Sequence, residues 1–391
     1  MKVSTGSAYV AIITMGIVSM LGDIIYEGGR GLSPEYLKFL GASAVLVGAV
    51  SGAGEFIGYA LRLLSGALAD KTRAYWVFIF LGYGLIAAIP FLGLTQIFEV
   101  AILLLLLERL GKAFRSPSRD TVLSIVSKGI GSGKAFGIHE FLDQIGAIGG
   151  PALIAALMFY SGNNYSTTFT LLFIPYAALI LALFYSYKTV GKDIHPEATV
   201  SAKASKWLNK SFYLYTASIG FNTIGLVPVA LILYKASLIL QPTQKWLIPI
   251  LYLVVQATDA PIALISGLAF DRIGVKTLIL PYVLSFLPAL FISYGSLTEI
   301  VMACVAYGVI LGMQESIYRA AVSDLVPTEV RGTAYGIFNT ILGVGFVVGG
   351  SVFGLFIDKQ ILPLFSLTYV AATQLLAVLL LLESTKDQPS L

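Results

Sequence analysis

A chain of 391 residues that is 57% hydrophobic and only 12% charged carries about half the charge of an ordinary water-soluble domain. With a mean hydropathy of +0.86, it reads as a polytopic integral membrane protein. A net charge of +4 with no long basic tract gives no reason to expect nucleic acid as a partner, and the single cysteine, Cys304, excludes an intramolecular disulfide and any multi-thiolate metal site.

An apolar run of about 20 residues crosses a bilayer. Twelve such runs fall near 8–30, 43–69, 74–94, 97–117, 134–160, 166–187, 211–237, 245–270, 275–296, 298–320, 331–357 and 362–384. Their continuity disfavours a membrane β-barrel, whose short strands alternate, so the fold class is all-α. The first run is too long for a signal peptide and has no small-residue cleavage site. It reads as the first span.

Span one holds GDIIYEGGRG (Gly22–Gly31), with Asp23, Glu27 and Arg30 near one face of a helix. Gly28, Gly29 and Gly31 are expected to thin or unwind it beyond Glu27, and Pro34 disfavours helix at Ser33. A broken helix frees backbone groups at a water-lined site, which makes Asp23, Tyr26, Glu27 and Arg30 candidates for a substrate cavity. The alternative is that the span ends near Gly28 and leaves Arg30, Glu35 and Lys38 in an outer loop.

Spans two, four and five add Glu55 and Arg62, Glu108 and Arg109, and His139, Glu140 and Asp143. Each charge in a span costs about 2.5–3.5 kcal/mol on insertion scales, so it needs a partner or water. Arg62, Glu108 and Arg109 suit a buried network that fixes helix packing, from which removal of one member destabilises strongly. Asp143, with His139 one turn earlier on the same face, suits proton transfer, and Glu55 and Glu140 are further candidates for proton coupling.

In the first half, acids in the spans outnumber arginines six to three, a surplus of three; in the second half Asp259 and Glu315 stand against Arg319, a surplus of one. Three carboxylates thus lack an obvious cation, and a desolvated carboxyl favours its protonated form. Proton coupling is the expectation. Asn222 in span seven and Gln256 in span eight join Asp259 and Glu315 as cavity candidates, although a lone amide in a membrane helix more often bonds across helices.

The longest polar stretch, YKTVGKDIHPEATVSAKASKWLNKS, separates spans six and seven. It divides the chain into an N-terminal bundle (1–187), a cytoplasmic linker (188–210) with a short surface helix around Lys203–Lys210, and a C-terminal bundle (211–391). The two halves repeat. SGALAD from Ser65 returns as SGLAFD from Ser266, RDTVLSIV from Arg119 as RAAVSDLV from Arg319, and AFGI from Ala135 as AYGI from Ala334, at offsets of 201, 200 and 199 residues. Such repeats underlie alternating access. With the N-terminus inside, Lys71, Arg73, Arg115, Arg119, Lys128, Lys134, Lys188, Lys192, Lys203, Lys206, Lys210, Arg272, Lys276 and Arg331 fall in inner loops and helix ends and Arg30, Lys38, Lys235, Lys245 and Lys359 on the outer side. Both termini are therefore expected in the cytoplasm.

GALADKTRAYW, with Gly66, Asp70 and Arg73, and GLAFDRIGVK, with Gly267, Asp271, Arg272, Gly274 and Lys276, resemble the acidic and basic loop signature of the major facilitator superfamily; the first copy lacks the usual second glycine. Gly137, Gly146, Gly150 and Pro151 resemble the motif associated with its antiporters, without the trailing glycine pair. DIIYEGGRGLSPEYL, ERLGKAFRSPSRDTVLS and ESIYRAAVSDLVPTEVRGTAYGIFN resemble a prokaryotic branch of facilitators with no secure substrate.

That resemblance implies twelve transmembrane helices in two pseudo-symmetric six-helix bundles. It also implies a monomeric secondary transporter of the cytoplasmic membrane, with no enzymatic activity and no cofactor, moving a small molecule or ion; the antiporter-like motif points to export, and the carboxylate surplus to coupling with protons. Asp70 and Asp271, facing Arg73, Arg272, Arg115, Arg119 or Arg319, become a latch made in only one transport state; ordinary surface ion pairing is the plain alternative. Two other functions stay open: efflux of a divalent metal, as in ferroportin and nickel-resistance relatives, with Asp23 and Glu27 as ligands, and a non-transporting receptor. KGIGSGKAFG from Lys128 lacks the ending and strand context of a phosphate loop.

Overall fold

The computed structural model describes residues 5–127, 130–191, 208–327, 330–361 and 363–386, and every regular element among them is a helix. Twelve spans follow in order. They are α1 (Thr5–Phe39), α2 (Ala44–Thr72), α3 (Tyr75–Leu94), α4 (Phe98–Val126), α5 (Ser132–Tyr160), α6 (Tyr165–Val190), α7 (Lys210–Ile239), α8 (Leu247–Ile273), α9 (279–294), α10 (Leu297–Leu325), α11 (Arg331–Asp358) and α12 (Pro363–Ser384). Ten apolar segments are long enough to cross a membrane. One of them, Pro242–Tyr294, holds both α8 and α9, parted where Gly274 takes a φ of +70°. The charges of α4 set it apart from the others. Residues 192–207, and with them most of the expected linker and its surface helix, lie outside the described residues.

The break expected in α1 is absent, and so is the alternative end near Gly28. The helix runs unbroken to Phe39 because its glycines serve packing: a Cβ at Gly28 would lie 2.9 Å from the Gly150 carbonyl oxygen, and one at Gly29 would lie 2.6 Å from Ile89. Close approach to neighbours offsets the weak helix propensity of glycine. The discontinuous helix is α7, which separates into Lys210–Ile224 and Val229–Ile239 on either side of Gly225–Pro228. Pro228 brings no N–H, and the released carbonyls find donors on α12. Gln374 Nε2 donates to Asn222 O at 3.1 Å, and Tyr369 OH donates to Ile224 O at 3.2 Å.

The chain forms two compact units. Unit 1 comprises Met1–Tyr36, Ala60–Val200 and Pro242–Ile250; unit 2 comprises Leu37–Tyr59, Ser201–Gln241 and Leu251–Leu391. In unit 1, α1 lies backbone to backbone on α5: a Cβ at Gly146 would fall 2.5 Å from Met20 O, and one at Gly150 would fall 2.5 Å from Ile24 O. Unit 2 repeats this contact between α7 and α11 at the same offset of 199. There a Cβ at Gly345 would be 2.9 Å from Thr223, and one at Gly349 would be 2.9 Å from Thr223 O. The antiporter-like glycines thus have packing counterparts in the second half.

At its α1 end, unit 1 includes the start of α8. Lys245 Nζ lies 3.7 Å from Glu35 Oε1, Tyr165 OH donates to the same carboxylate at 2.7 Å, and Trp246 N donates to Asn163 Oδ1 at 2.9 Å. In unit 2, Asp358 caps α2 by accepting from Ala44 N at 2.8 Å and Val45 N at 2.9 Å, as an acid at a helix N-terminus favours. The unit 2 core gathers Phe212, Tyr215, Ile219, Tyr282, Ile317, Phe338 and Leu381.

Candidate functional site in unit 1

The glycine contact between α1 and α5 brings two carboxylates together. A Cβ at Gly146 would lie 2.7 Å from Asp23 Cβ, and Asp143 sits one turn earlier on α5. Asp23 and Glu27 are both buried. Asp23 lies within electrostatic reach of Asp143, Glu27, Lys112 and Arg119. Asp143 Oδ2 stands 3.5 Å from Arg119 Nη1 and 3.6 Å from the Nε2 of buried His139. Arg119 also donates from Nη1 to Ser19 Oγ at 2.8 Å, and from Nε and Nη2 to Asp120 Oδ1 at 3.0 and 2.9 Å. One guanidinium therefore serves two carboxylates and a hydroxyl.

Next to this group, Tyr26 forms a platform. Lys112 Nζ donates to its hydroxyl at 3.2 Å and stands 4.6 Å from the ring centroid, while the Arg115 guanidinium is 5.0 Å from the same centroid and 5.5 Å from that of Tyr83. Arg115 is buried, with Nη2 3.3 Å from Glu108 Oε1 and Nη1 donating to Gly82 O at 3.4 Å. Arg109 Nε reaches Glu108 Oε2 at 3.5 Å, and Arg30 Nη1 reaches Glu27 Oε1 at 3.7 Å. Arg30 therefore belongs to the helix as the partner of Glu27, and not to a loop.

Two expectations are corrected. Arg115 and Arg119, placed with the latch at the end of a helix, lie inside the packed charge network of unit 1, because α4 continues to Val126, well past its expected end. The carboxylate surplus also narrows to one: α4 contributes Lys112, Arg115 and Arg119 as cations and Asp120 as a further acid.

The other candidates separate. Glu55 belongs to unit 2 and half-buried Arg62 to unit 1. Glu140 is exposed and accepts from Gln144 Nε2 at 3.3 Å. Pro151 lies within α5, which continues through it. Asp259 and Gln256 are buried on α8, where a Cβ at Gly312 of α10 would be 2.6 Å from Asp259 O, and Glu315 is exposed on α10. Asp70 accepts from Tyr75 OH at 2.9 Å, Arg73 adopts a φ of +57°, and Asp271, Arg272 and Arg319 are exposed. Among the described residues no group of three or more His, Cys, Asp or Glu side chains is placed to hold a metal ion.

Asn222, expected at the cavity, is the hub of a neutral network in unit 2. Its Nδ2 donates to Gln374 Oε1 at 2.7 Å and Ser285 Oγ at 3.3 Å; its Oδ1 accepts from Tyr318 OH at 2.6 Å and Gln314 Nε2 at 2.8 Å. An amide side chain has two donors and two acceptor sites, so all four are used. Asn222 is fully buried and ties α7 to α9, α10 and α12, leaving no capacity for a solute.

Twelve long helices, most of them apolar, an internal repeat and a buried charge network in one unit define a polytopic membrane protein of the carrier type. The chain belongs to the Major Facilitator Superfamily, which it matches over residues 4–350. It is 35% identical over 387 residues to an uncharacterized protein of Mycobacterium tuberculosis, covering 96% of this chain and 93% of that one. An uncharacterized MFS-type transporter of Methanocaldococcus jannaschii is 28% identical over 340 residues, covering 85% of each. Among solved structures, the nucleoside transporter NupG matches with a TM-score of 0.71 at 15% identity, over 97% of this chain and 100% of that one. A bacterial homolog of the human lysosomal transporter Spinster, inward-facing and unoccupied, matches with a TM-score of 0.72 at 13% identity, over 98% and 99%. At those identities the two structures share the fold with this chain.

Proposed function

We propose that this protein is a monomeric secondary transporter of the cytoplasmic membrane, with both termini inside. It moves a small solute by alternating access and is driven by protons carried on Asp143 with Asp23 and His139 beside it. The observation that carries this reading is the shared Arg119. When Asp143 takes a proton, Arg119 keeps Asp120 and Ser19 as partners, so neutralising the carboxylate strands no buried cation. A carboxylate whose only partner was one arginine would pay the full cost of leaving that arginine unpaired.

Asp70 and Asp271, with Arg73, Arg272 and Arg319, remain the inner latch of this proposal, engaged in only one of the two transport states; Asp70 accepts from Tyr75 OH. The direction is assigned as export from the GxxxGP resemblance. Reconstitution tests the reading: on a solid-supported membrane, proteoliposomes challenged with a solute panel give currents that depend on the proton gradient. Asp143→Asn abolishes those currents while the protein still inserts. Wild-type, gradient-driven currents in the variant would refute it.

A further inference from the structure

We infer that the transported solute is an organic anion, bearing a carboxylate or a phosphate, and that Lys112 is its anchor; this rests on the reading of the protein as a carrier of a small solute. Lys112 sits at the midpoint of α4, fourteen residues from Phe98 and fourteen from Val126, or about 21 Å of helix from either end. An ammonium that deep needs a counter-charge or water.

Among the described residues no carboxylate pairs directly with Lys112, although Asp23, Glu27 and Asp143 lie within electrostatic reach. The ammonium has three donors, and its direct contacts are the neutral Tyr26 hydroxyl at 3.2 Å and the face of the same ring at 4.6 Å. Among the described residues it makes no ion pair with a carboxylate. The other cations of the cluster do: Arg30 with Glu27, Arg109 and Arg115 with Glu108, and Arg119 with Asp120 and Asp143. Lys112 also lies within electrostatic reach of Arg30, Arg62 and Arg109, with Glu27 as the acid that acts on it most.

A half-buried ammonium whose direct contact is a neutral tyrosine, with three arginines as well as the acids in electrostatic reach, is a site for an incoming negative charge. A carboxylate or phosphate supplies the acceptors that Tyr26 cannot. A cationic solute would repel the ammonium, and a neutral one would supply an acceptor without the counter-charge.

The test uses the purified full chain in detergent at constant ionic strength and pH, with no gradient. The unfolding midpoint is followed during titration with sodium succinate, sodium citrate and sodium glycerol phosphate, against sodium chloride, glucose and tetraethylammonium chloride. A ligand of the native state raises that midpoint. The expected result is an upward shift with at least one of the carboxylates or the phosphate ester, and none beyond the chloride control with glucose or tetraethylammonium. Lys112→Gln is expected to raise the half-saturating concentration at least tenfold, and Lys112→Arg to keep it within a few-fold.

No shift with any of the three anions, a preference for the cation, or an undiminished shift in Lys112→Gln would overturn the inference. Should Lys112→Gln fail to fold, the contrast among anion, neutral and cation in the wild type decides. Asp143→Asn is measured alongside. An anion shift retained there, with proton coupling absent from the wild type, would remove the coupling proposal and leave this one standing.

Discussion

Replacing Asn222 with alanine separates a packing hub from a solute ligand. The substitution removes four side-chain hydrogen bonds, to Gln374, Ser285, Gln314 and Tyr318. Interhelical bonds in membranes average about 0.6 kcal/mol, so the four together contribute about 2.4 kcal/mol, with a ceiling of about 7 kcal/mol if each reached about 1.7. The lower figure is the better guide, because Gln374 keeps its bond to the Asn222 backbone carbonyl at 3.1 Å and the 3.3 Å bond to Ser285 is long. The expected outcome is a lower unfolding midpoint in detergent, together with unchanged half-saturation for any solute that the surviving folded fraction transports. An unchanged midpoint with flux lost would place Asn222 in the solute site and refute the hub.

Other substitutions test neighbouring parts of the structure. Gly146→Ala pushes a Cβ to 2.5 Å from Met20 O and 2.7 Å from Asp23 Cβ; overpacking of about 1–3 kcal/mol should lower the midpoint and also proton-driven current, whereas the matching Gly345→Ala should lower the midpoint and leave the proton dependence intact. Arg115→Ala leaves buried Glu108 with Arg109 alone and should destabilise by about 1.5–3 kcal/mol, the worth of a hydrogen bond to a charged group, while Arg319→Ala, at an exposed position, should stay within about 0.5 kcal/mol; equal effects in chemical unfolding would return Arg115 to the helix end. Asp358→Ala removes the cap on α2, worth about 1 kcal/mol, and hydrogen exchange at Ala44 and Val45 should quicken with little change at the far end of the helix.

The twelve spans and their two-fold repeat were legible because long apolar runs and a constant offset survive in one dimension. What the local sequence could not supply was the identity of the facing residue. Gly28, Gly29 and Pro34 carry the same residue types as Gly225 and Pro228, yet the first set packs a continuous helix against Gly150 and Ile89 while the second breaks one. The difference lies with Tyr369 and Gln374 on α12, which receive the freed carbonyls of α7.

Asn222 was placed at the cavity for a similar reason, since its four partners stand on three other helices. The pairing of Asp143 with His139 follows from spacing along one helix, and the structure places the two within 3.6 Å. Arg119 and Lys112 come from α4, and the reach of that helix beyond residue 117 was hidden by its charges, which lower the hydropathy of a buried span. Lys112 was visible in the sequence all along.

The most direct test of proton coupling through Asp143 needs no known solute. Cys304 is replaced by serine, spin labels are attached through cysteines at Lys134 and Arg331, near the corresponding ends of α5 and α11, and inter-label distances are measured by pulsed electron resonance at pH 6 and pH 8. A carrier whose states are biased by protonation shifts its populations with pH. The account predicts a pH-dependent distance distribution in the parent protein and a pH-independent one in Asp143→Asn. The same pH dependence in both proteins, or none in the parent, would contradict it.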